Sequence, residues 1–171
     1  MPVVRFDSLP DDARLWVFAA SEPVTGEQAD MLLNAVDDWL AEWKAHGELL
    51  ECARDWRDDR FLAIGVDQST AGASGCSIDA LFRVFKELRA SGGPSMLDGG
   101  RVFYRGTDRA VVSQSRAEFA KSASSGVVGA DTPVFDTSVT TAAAYRTGFE
   151  KPARDSWHGE LLGASSTGLR A

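Results

Sequence analysis

The sequence predicts an α+β fold, in which a mostly antiparallel sheet is packed by two main amphipathic helices and short C-terminal helices. First, apolar segments of strand length follow one another across tight turns, which is typical of hairpins. Second, two segments, near 27–43 and 76–88, carry apolar residues at helical spacing. Third, helical composition returns at 140–146. Because strands and helices do not alternate strictly, these observations favour α+β over a doubly wound fold.

The chain begins with a strand and a helix. Residues 14–19 are almost continuously apolar, which predicts a strand covered on both faces. Thr25-Gly26-Glu27-Gln28 has the form of a capping box that starts a helix. Gly47 occupies the position of a glycine that ends one. The helical stripe includes two tryptophans, which we assign to the core and not to a ligand surface. Its members are Ala29, Leu32, Leu33, Val36, Trp39, Leu40 and Trp43.

A strand pair and a second helix follow. Residues 49–56 and 60–66 have the composition of strands, and Asp58-Asp59 between them predicts a tight turn. A glycine-rich loop then leads into a helix that Gly92-Gly93-Pro94 ends. The apolar face of this helix is predicted to carry Ile78, Leu81, Phe82, Phe85 and Leu88.

The second half of the chain predicts shorter elements. Gly106-Thr107-Asp108 lies between two apolar segments and indicates a hairpin. The predicted elements are strands at 101–105 and 110–112, a helix at 115–123, a strand at 132–135 and a helix at 140–146. With 171 residues, one domain is the default, so we predict a single globular domain over 1–162. The small, polar residues 163–171 predict a flexible C-terminal tail.

Composition limits the classes of partner. The chain has 18 Lys and Arg against 25 Asp and Glu, a net charge of -7, so neither a nucleic acid nor an anionic membrane surface is expected. Near the start the longest apolar run is 15–20, only six residues, which fits neither a signal peptide nor a membrane span. The two cysteines, Cys52 and Cys76, do not make a disulfide framework. We therefore expect an acidic, soluble, cytoplasmic protein.

The loop Gly72-Ala73-Ser74-Gly75-Cys76-Ser77 is the segment of the sequence most typical of a binding or catalytic site. Its glycines let backbone N–H groups approach a bound group closely. We therefore expect Gly72, Ser74, Gly75 and Ser77 to bind a small ligand or anion. Cys76 falls at the helix start, where the helix dipole favours a thiolate, the reactive form of a thiol. The alternative is that Cys76 is a small buried hydrophobe and the loop an ordinary connection.

Missing residues exclude several specific mechanisms. No lysine follows the glycines, so the loop is not a P-loop. Ile78 stands where a nucleophile elbow needs glycine, and there is no Cys-x-x-Cys pair. The only histidines, His46 and His158, show no paired metal-ligand spacing, so we expect neither a metal nor another cofactor.

Thiol chemistry would need a base. His46 is predicted to end the first helix, where its charge suits the helix dipole. His158, in Asp155-Ser156-Trp157-His158, is the candidate base for Cys76, with Asp79 or Asp155 orienting it. The alternative is that Asp155 or Ser156 caps a short helix and Trp157 fills the core.

Three motifs together resemble a family of short, uncharacterised bacterial proteins that are often labelled "ABC transporter ATPase". The resemblance spans nearly the whole chain and directs attention to Cys76, Asp79 and His158 as a cluster. The label implies ATP hydrolysis, for which the loop lacks the required lysine. The motifs are Phe6-Asp7-Ser8-Leu9-Pro10 with Ala13-Arg14-Leu15-Trp16, Gly72-Ala73-Ser74-Gly75-Cys76-Ser77-Ile78-Asp79, and Pro152 with Asp155-Ser156-Trp157-His158.

Two functional hypotheses follow from the sequence. The first is a small-ligand or anion site on the loop, which in its catalytic form is a thiol-dependent enzyme using Cys76 with His158. The second is a non-catalytic protein-interaction module, in which the loop is structural and an apolar surface binds a partner.

Overall fold

The structure is a computed structural model that describes residues 3–69 and 75–163, and of 75–77 only the backbone. The protein belongs to the α+β class, and every pairing between its named strands is antiparallel in the described part of the chain. The strands are β1 (Arg14–Ala19), β2 (Lys44–Ala45), β3 (Glu48–Leu49), β4 (Cys52–Arg57), β5 (Phe61–Val66), β6 (Val102–Arg105), β7 (Val111–Gln114), β8 (Pro133–Phe135) and β9 (Glu150–Pro152). The helices are α1 (Glu27–Glu42), α2 (Gly75–Ala90), α3 (Arg116–Ser124), α4 (Ala142–Gly148) and α5 (Gly159–Gly163).

The chain divides into two compact units. The first comprises residues 1–99 and 137–146, and the second comprises 100–136 and 147–171. Each unit has a core of its own buried side chains. The single domain expected over 1–162 stays a prediction. Residues 164–171 of the predicted tail lie outside the described part of the chain.

The first unit is built on a sheet with the strand order β1-β5-β4. All six residues of β5 are buried, because this central strand is covered on both faces. One face packs against α1 and α2, while the other is closed by Leu9, Ala13 and Ala142. A Cβ on Gly65 would lie 2.5 Å from Cδ1 of Leu9, so close contact on this second face requires a glycine.

The second unit is built on a sheet with the strand order β7-β6-β8-β9. Alternate residues of β6, Val102 and Tyr104, join Phe119 of α3 in its core. Arg105 of β6 donates two hydrogen bonds to Glu150 of β9, at 2.7 and 3.0 Å, across the intervening strand. This bidentate ion pair helps to fix β9.

Most predicted elements are confirmed. β1 has the predicted bounds, and α2 buries Ile78, Leu81 and Phe85 on the predicted face. β4 and β5 are joined at Asp58 and Asp59, whose φ angles of 54° and 53° are those of a tight hairpin turn. β6 and β7, α3, β8 and α4 also occur near their predicted positions. β9 and the hairpin of β2 and β3 were not predicted.

The predicted ends of α1 are wrong. Gly26, not Thr25, is the N-cap residue, and no side chain caps the helix. The helix ends at Glu42 because Trp43 turns extended and pairs with Leu50, whose N–H donates to the Trp43 carbonyl. His46 and Gly47 instead form the two-residue turn between β2 and β3, with φ angles of 53° and 87°. His46 is therefore an exposed turn residue and not a partner of the helix dipole.

Candidate functional site

The glycine-rich loop joins the central strand β5 to the start of α2. Residues 70–74, which include Gly72 and Ser74, lie outside the described part of the chain. Gly75, Cys76 and Ser77 are the first three residues of α2, and no acidic residue lies in the first turn. A cysteine at a helix start, as predicted, is therefore confirmed at the level of the backbone. The first residues of this 16-residue helix have backbone N–H groups without a partner inside the helix.

Asp79 is exposed on α2, one turn after Cys76. Together with Phe82, Arg83 and Lys86 it lines a shallow hollow of about 640 Å³. Asp79 is the fifth residue of α2, and its negative charge repels a second negative charge at the start of the helix. The surroundings of the loop therefore contain one feature that favours an anion, the helix start, and one that opposes it.

His158 is completely buried in the second unit, between β9 and α5. Its ring stacks on Trp157 with a centroid distance of 3.8 Å and meets the ring of Phe119 edge-on. The Ser156 hydroxyl oxygen accepts from the His158 backbone N–H and lies 2.5 Å from Nδ1. The hydroxyl oxygen has two acceptor sites, so which of the two groups donates in the contact with Nδ1 depends on the tautomer of His158. Nε2 has no partner among the described residues.

Burial lowers the pKa of His158 to about 4. The nearby Asp136 carboxylate opposes this shift, while the positive charges of Lys151 and Arg116 add to it. The imidazole is therefore uncharged at neutral pH and a weaker base than an exposed histidine. Ser156 accepts this hydrogen bond within the turn before α5, and the alternative that Asp155 or Ser156 caps a short helix stays a prediction. His158 is more deeply buried than Trp157.

The predicted catalytic residues are divided between the two units. Cys76 and Asp79 belong to the first unit and His158 to the second. A catalytic cluster of these three residues stays a prediction. The other cysteine, Cys52, is a buried free thiol in β4, and burial raises its pKa to about 12. Cys52 is therefore a core residue without nucleophilic character.

A second candidate site, which the sequence analysis missed, is a groove on α1 and α2. The α1–α2 groove is a shallow, open depression of about 600 Å³, lined by Ala35, Asp38, Trp39, Ala41, Glu42 and Val84. The Trp39 ring is half-buried and packs on the Trp43 ring at a centroid distance of 4.5 Å. The floor of the groove is apolar, and both of its charged residues are acidic.

The charge of α1 is one-sided. The helix carries five acidic residues, Glu27, Asp30, Asp37, Asp38 and Glu42, and no basic residue. Asp37 is held by Arg54, whose two hydrogen bonds to it measure 2.5 and 2.7 Å. Asp38 and Glu42 are exposed and make no ion pair within the described residues. The absence of any Lys or Arg from a helix with five acidic residues is the feature of the sequence that could have indicated a binding face on α1.

Further features bound the possible chemistry. Among the described residues, no group of three or more His, Cys, Asp or Glu side chains could hold a metal ion. No helix in the described ranges is long and apolar enough to cross a membrane. Comparisons with models of known families, with curated proteins and with solved structures found no match for this chain.

Proposed function

We propose that the protein is a non-catalytic interaction module whose partner docks on the α1–α2 groove. The observation that carries this proposal is the pair of unpaired carboxylates, Asp38 and Glu42, beside the apolar floor that Trp39 and Val84 supply. A groove of this kind combines an aromatic anchor with a polar rim, as protein interfaces do.

The two carboxylates of Asp38 and Glu42 lower the stability of the protein when no partner is bound. Asp38 and Glu42 are four residues apart on one helix, so their charges repel each other by about 0.2–0.5 kcal/mol. Glu42 is also the last residue of α1, where the helix dipole is negative and opposes a carboxylate. A bound partner with compensating groups removes both costs, which supports a binding role for this face.

A site-specific cross-linking experiment tests the docking role. A photo-reactive amino acid is placed at Glu42 and, as the matched control, at Asp12, an exposed acid of the same unit outside the groove. In cells of the source organism, we expect irradiation to join a second protein to position 42 and not to position 12. Equal adducts at both positions, or none at position 42, would contradict the docking role.

The second candidate is the small-ligand or anion site formed by Gly72, Ser74, Gly75 and Ser77. It is supported by the start of the 16-residue α2 at Gly75, with no acidic residue in its first turn. In its catalytic form, Cys76 attacks a substrate and His158 serves as base. The low pKa of the buried His158 and the position of Asp79 weigh against this form.

The rate of Cys76 alkylation as a function of pH tests the thiol chemistry. The Cys52→Ser variant isolates Cys76, and the Cys76→Ser variant is expected to react slowly because Cys52 is buried. An activated thiolate requires a midpoint well below that of a free thiol, about 8.5. A midpoint at or above this value rejects the catalytic form and leaves the interaction module standing.

The proposed location is the cytoplasm, with a net charge of -7 that disfavours nucleic acid as the partner. The free, buried thiol of Cys52 supports a reducing compartment.

A further inference from the structure

We infer that the element that occupies the α1–α2 groove is a single amphipathic helix with Lys or Arg beside an apolar stripe. This inference rests on the docking role proposed above and names the chemistry of the partner. It follows from charge, from the apolar floor and from the size of the face.

Charge selects a basic partner. Asp30, Asn34, Asp38 and Glu42 recur every four residues along α1, which places polar groups over a length of about 18 Å. Of the acids on this helix, only Asp37 has a basic partner within the described residues. Cations spaced three or four residues apart on a partner helix match this row, because both helices rise about 1.5 Å per residue.

The floor of the groove selects an apolar anchor. Met31 is 39% exposed and does not line the groove, but it lies four residues before Ala35 and eight before Trp39, so it extends their apolar stripe along α1. Ala35 is small enough for close approach of another helix, and Met31 adapts to different shapes. The Trp39 ring is already held against Trp43, so little side-chain freedom is lost when a partner covers it.

The size of the face fits one helix. α1 and α2 each have 16 residues, which corresponds to a length of about 24 Å, and two adjacent helices present a width of about 20 Å. A partner helix of similar length can lie along this face over its whole length. A second copy of this chain would bring another net charge of -7 to the acidic residues of α1, which argues against a dimer through this face. A helix from a basic protein avoids this repulsion.

Peptide binding to the full-length chain tests the inference. The probe is a fluorescein-labelled 16-residue peptide of leucine and lysine with leucines at helical spacing. Two further peptides serve as controls: a scrambled one of equal composition, and one with glutamate in place of lysine. Fluorescence anisotropy is measured with the wild type and with the Asp38→Lys, Glu42→Lys and Asp12→Lys variants. Asp12→Lys is the matched control, since it changes net charge equally outside the groove.

We expect the amphipathic basic peptide to bind at least about tenfold more tightly than either control peptide. Asp38→Lys and Glu42→Lys are each expected to weaken binding about fivefold or more, and Asp12→Lys less than about twofold. The thermal midpoint of each variant shows whether it is folded. We expect this midpoint to be equal to that of the wild type or higher, because either groove substitution relieves the repulsion between positions 38 and 42.

Three outcomes would overturn the inference. Equal binding of the scrambled peptide, or equal weakening by Asp12→Lys, would reduce the effect to general attraction between opposite charges. A dimer in sedimentation that Asp38→Lys dissociates would assign the groove to a second copy. Cross-links at position 42 without peptide binding would reject the basic helix while the docking role stands; absence of those cross-links would reject the docking role itself.

Discussion

His158 combines complete burial with an incomplete set of hydrogen bonds. Nδ1 is engaged by Ser156, and Nε2 has no partner within the described residues. The charged form would carry hydrogens on both ring nitrogens into this buried position between the rings of Trp157 and Phe119, where Nε2 has no acceptor among the described residues. Burial therefore favours the neutral ring over the charged one.

We predict that His158 makes the protein less stable in acid. Its pKa of about 4 in the folded chain lies below its ordinary value of 6.5. Between these pH values the unfolded chain binds more protons, so the free energy of unfolding falls as the pH decreases from 6.5 to 4. The loss attributable to this group is about 3 kcal/mol and is absent above the ordinary pKa. Urea unfolding at several pH values measures it.

The control for this prediction uses the other histidine. His158→Asn removes the titrating ring, so the dependence of stability on pH between 4 and 6.5 should become shallower than in the wild type. His46→Asn is the matched substitution, since His46 is an exposed turn residue and asparagine tolerates its φ of 53°, and His158→Asn should change the slope more than His46→Asn does. An unchanged slope in His158→Asn would contradict the prediction.

The ends of the helices show which local signals control an element. Ser115 and Glu118 form a complete capping box at α3, in which the Ser115 side chain accepts from the Glu118 N–H and the Glu118 side chain from the Ser115 N–H. Thr25 has the same sequence pattern but makes no cap at α1. Gly26 takes the cap position there with a φ of 56°, a conformation that favours glycine.

We predict that the two patterns respond differently to the same substitution. Ser115→Ala should lower the free energy of unfolding by about 1 kcal/mol, because the Glu118 N–H loses its acceptor. Thr25→Ala should change it by less than about 0.5 kcal/mol, since Thr25 is exposed and does not cap. Chemical denaturation of the two variants compares them directly. Similar losses would indicate that Thr25 does cap α1 in solution.

Short strands limit prediction at the scale of the element. β2 and β3 have two residues each, and β9 has three. Such segments contain too few residues for a period-two pattern, and their pairing partners supply most of their stability. β9 illustrates this, because Lys151 pairs with Val134 while Glu150 receives the Arg105 side chain.

At the scale of the whole molecule, the first unit is completed by a distant segment. The Leu15 N–H donates to the Thr140 carbonyl at 2.9 Å, and the Ala142 N–H donates to the Ala13 carbonyl at 3.0 Å. The Tyr145 hydroxyl donates to the Asp55 carboxylate of β4 at 2.8 Å. Burial and then the Asp55 charge raise the pKa of Tyr145, so the hydroxyl keeps its hydrogen.

We predict that the first unit is unstable without residues 137–146. A fragment of residues 1–99 should be less stable than the same fragment joined to 137–146 through a glycine-serine linker, by about 3 kcal/mol or more. The linked fragment with Tyr145→Ala is the control and should recover less of this stability, because the contact with Asp55 is lost. Equal urea midpoints for all three fragments would contradict the prediction.

The sequence by itself determined the features that depend on near neighbours along the chain. Helical spacing predicted the buried face of α2, and the apolar run and turn residues predicted β1 and the hairpin of β4 and β5. Both signals are local, since side-chain period and turn geometry repeat within a few residues. The glycine-rich loop followed by apolar residues at helical spacing likewise predicted that Cys76 lies at the start of a helix.

Only the tertiary structure decided the features that depend on distant residues. It placed 137–146 in the first unit and buried His158, where its pKa falls. It also brought Val84 of α2 beside Trp39 of α1 to form the groove. These outcomes depend on which surfaces meet, and burial, dielectric and cavity shape are properties of the packed chain that no local pattern contains.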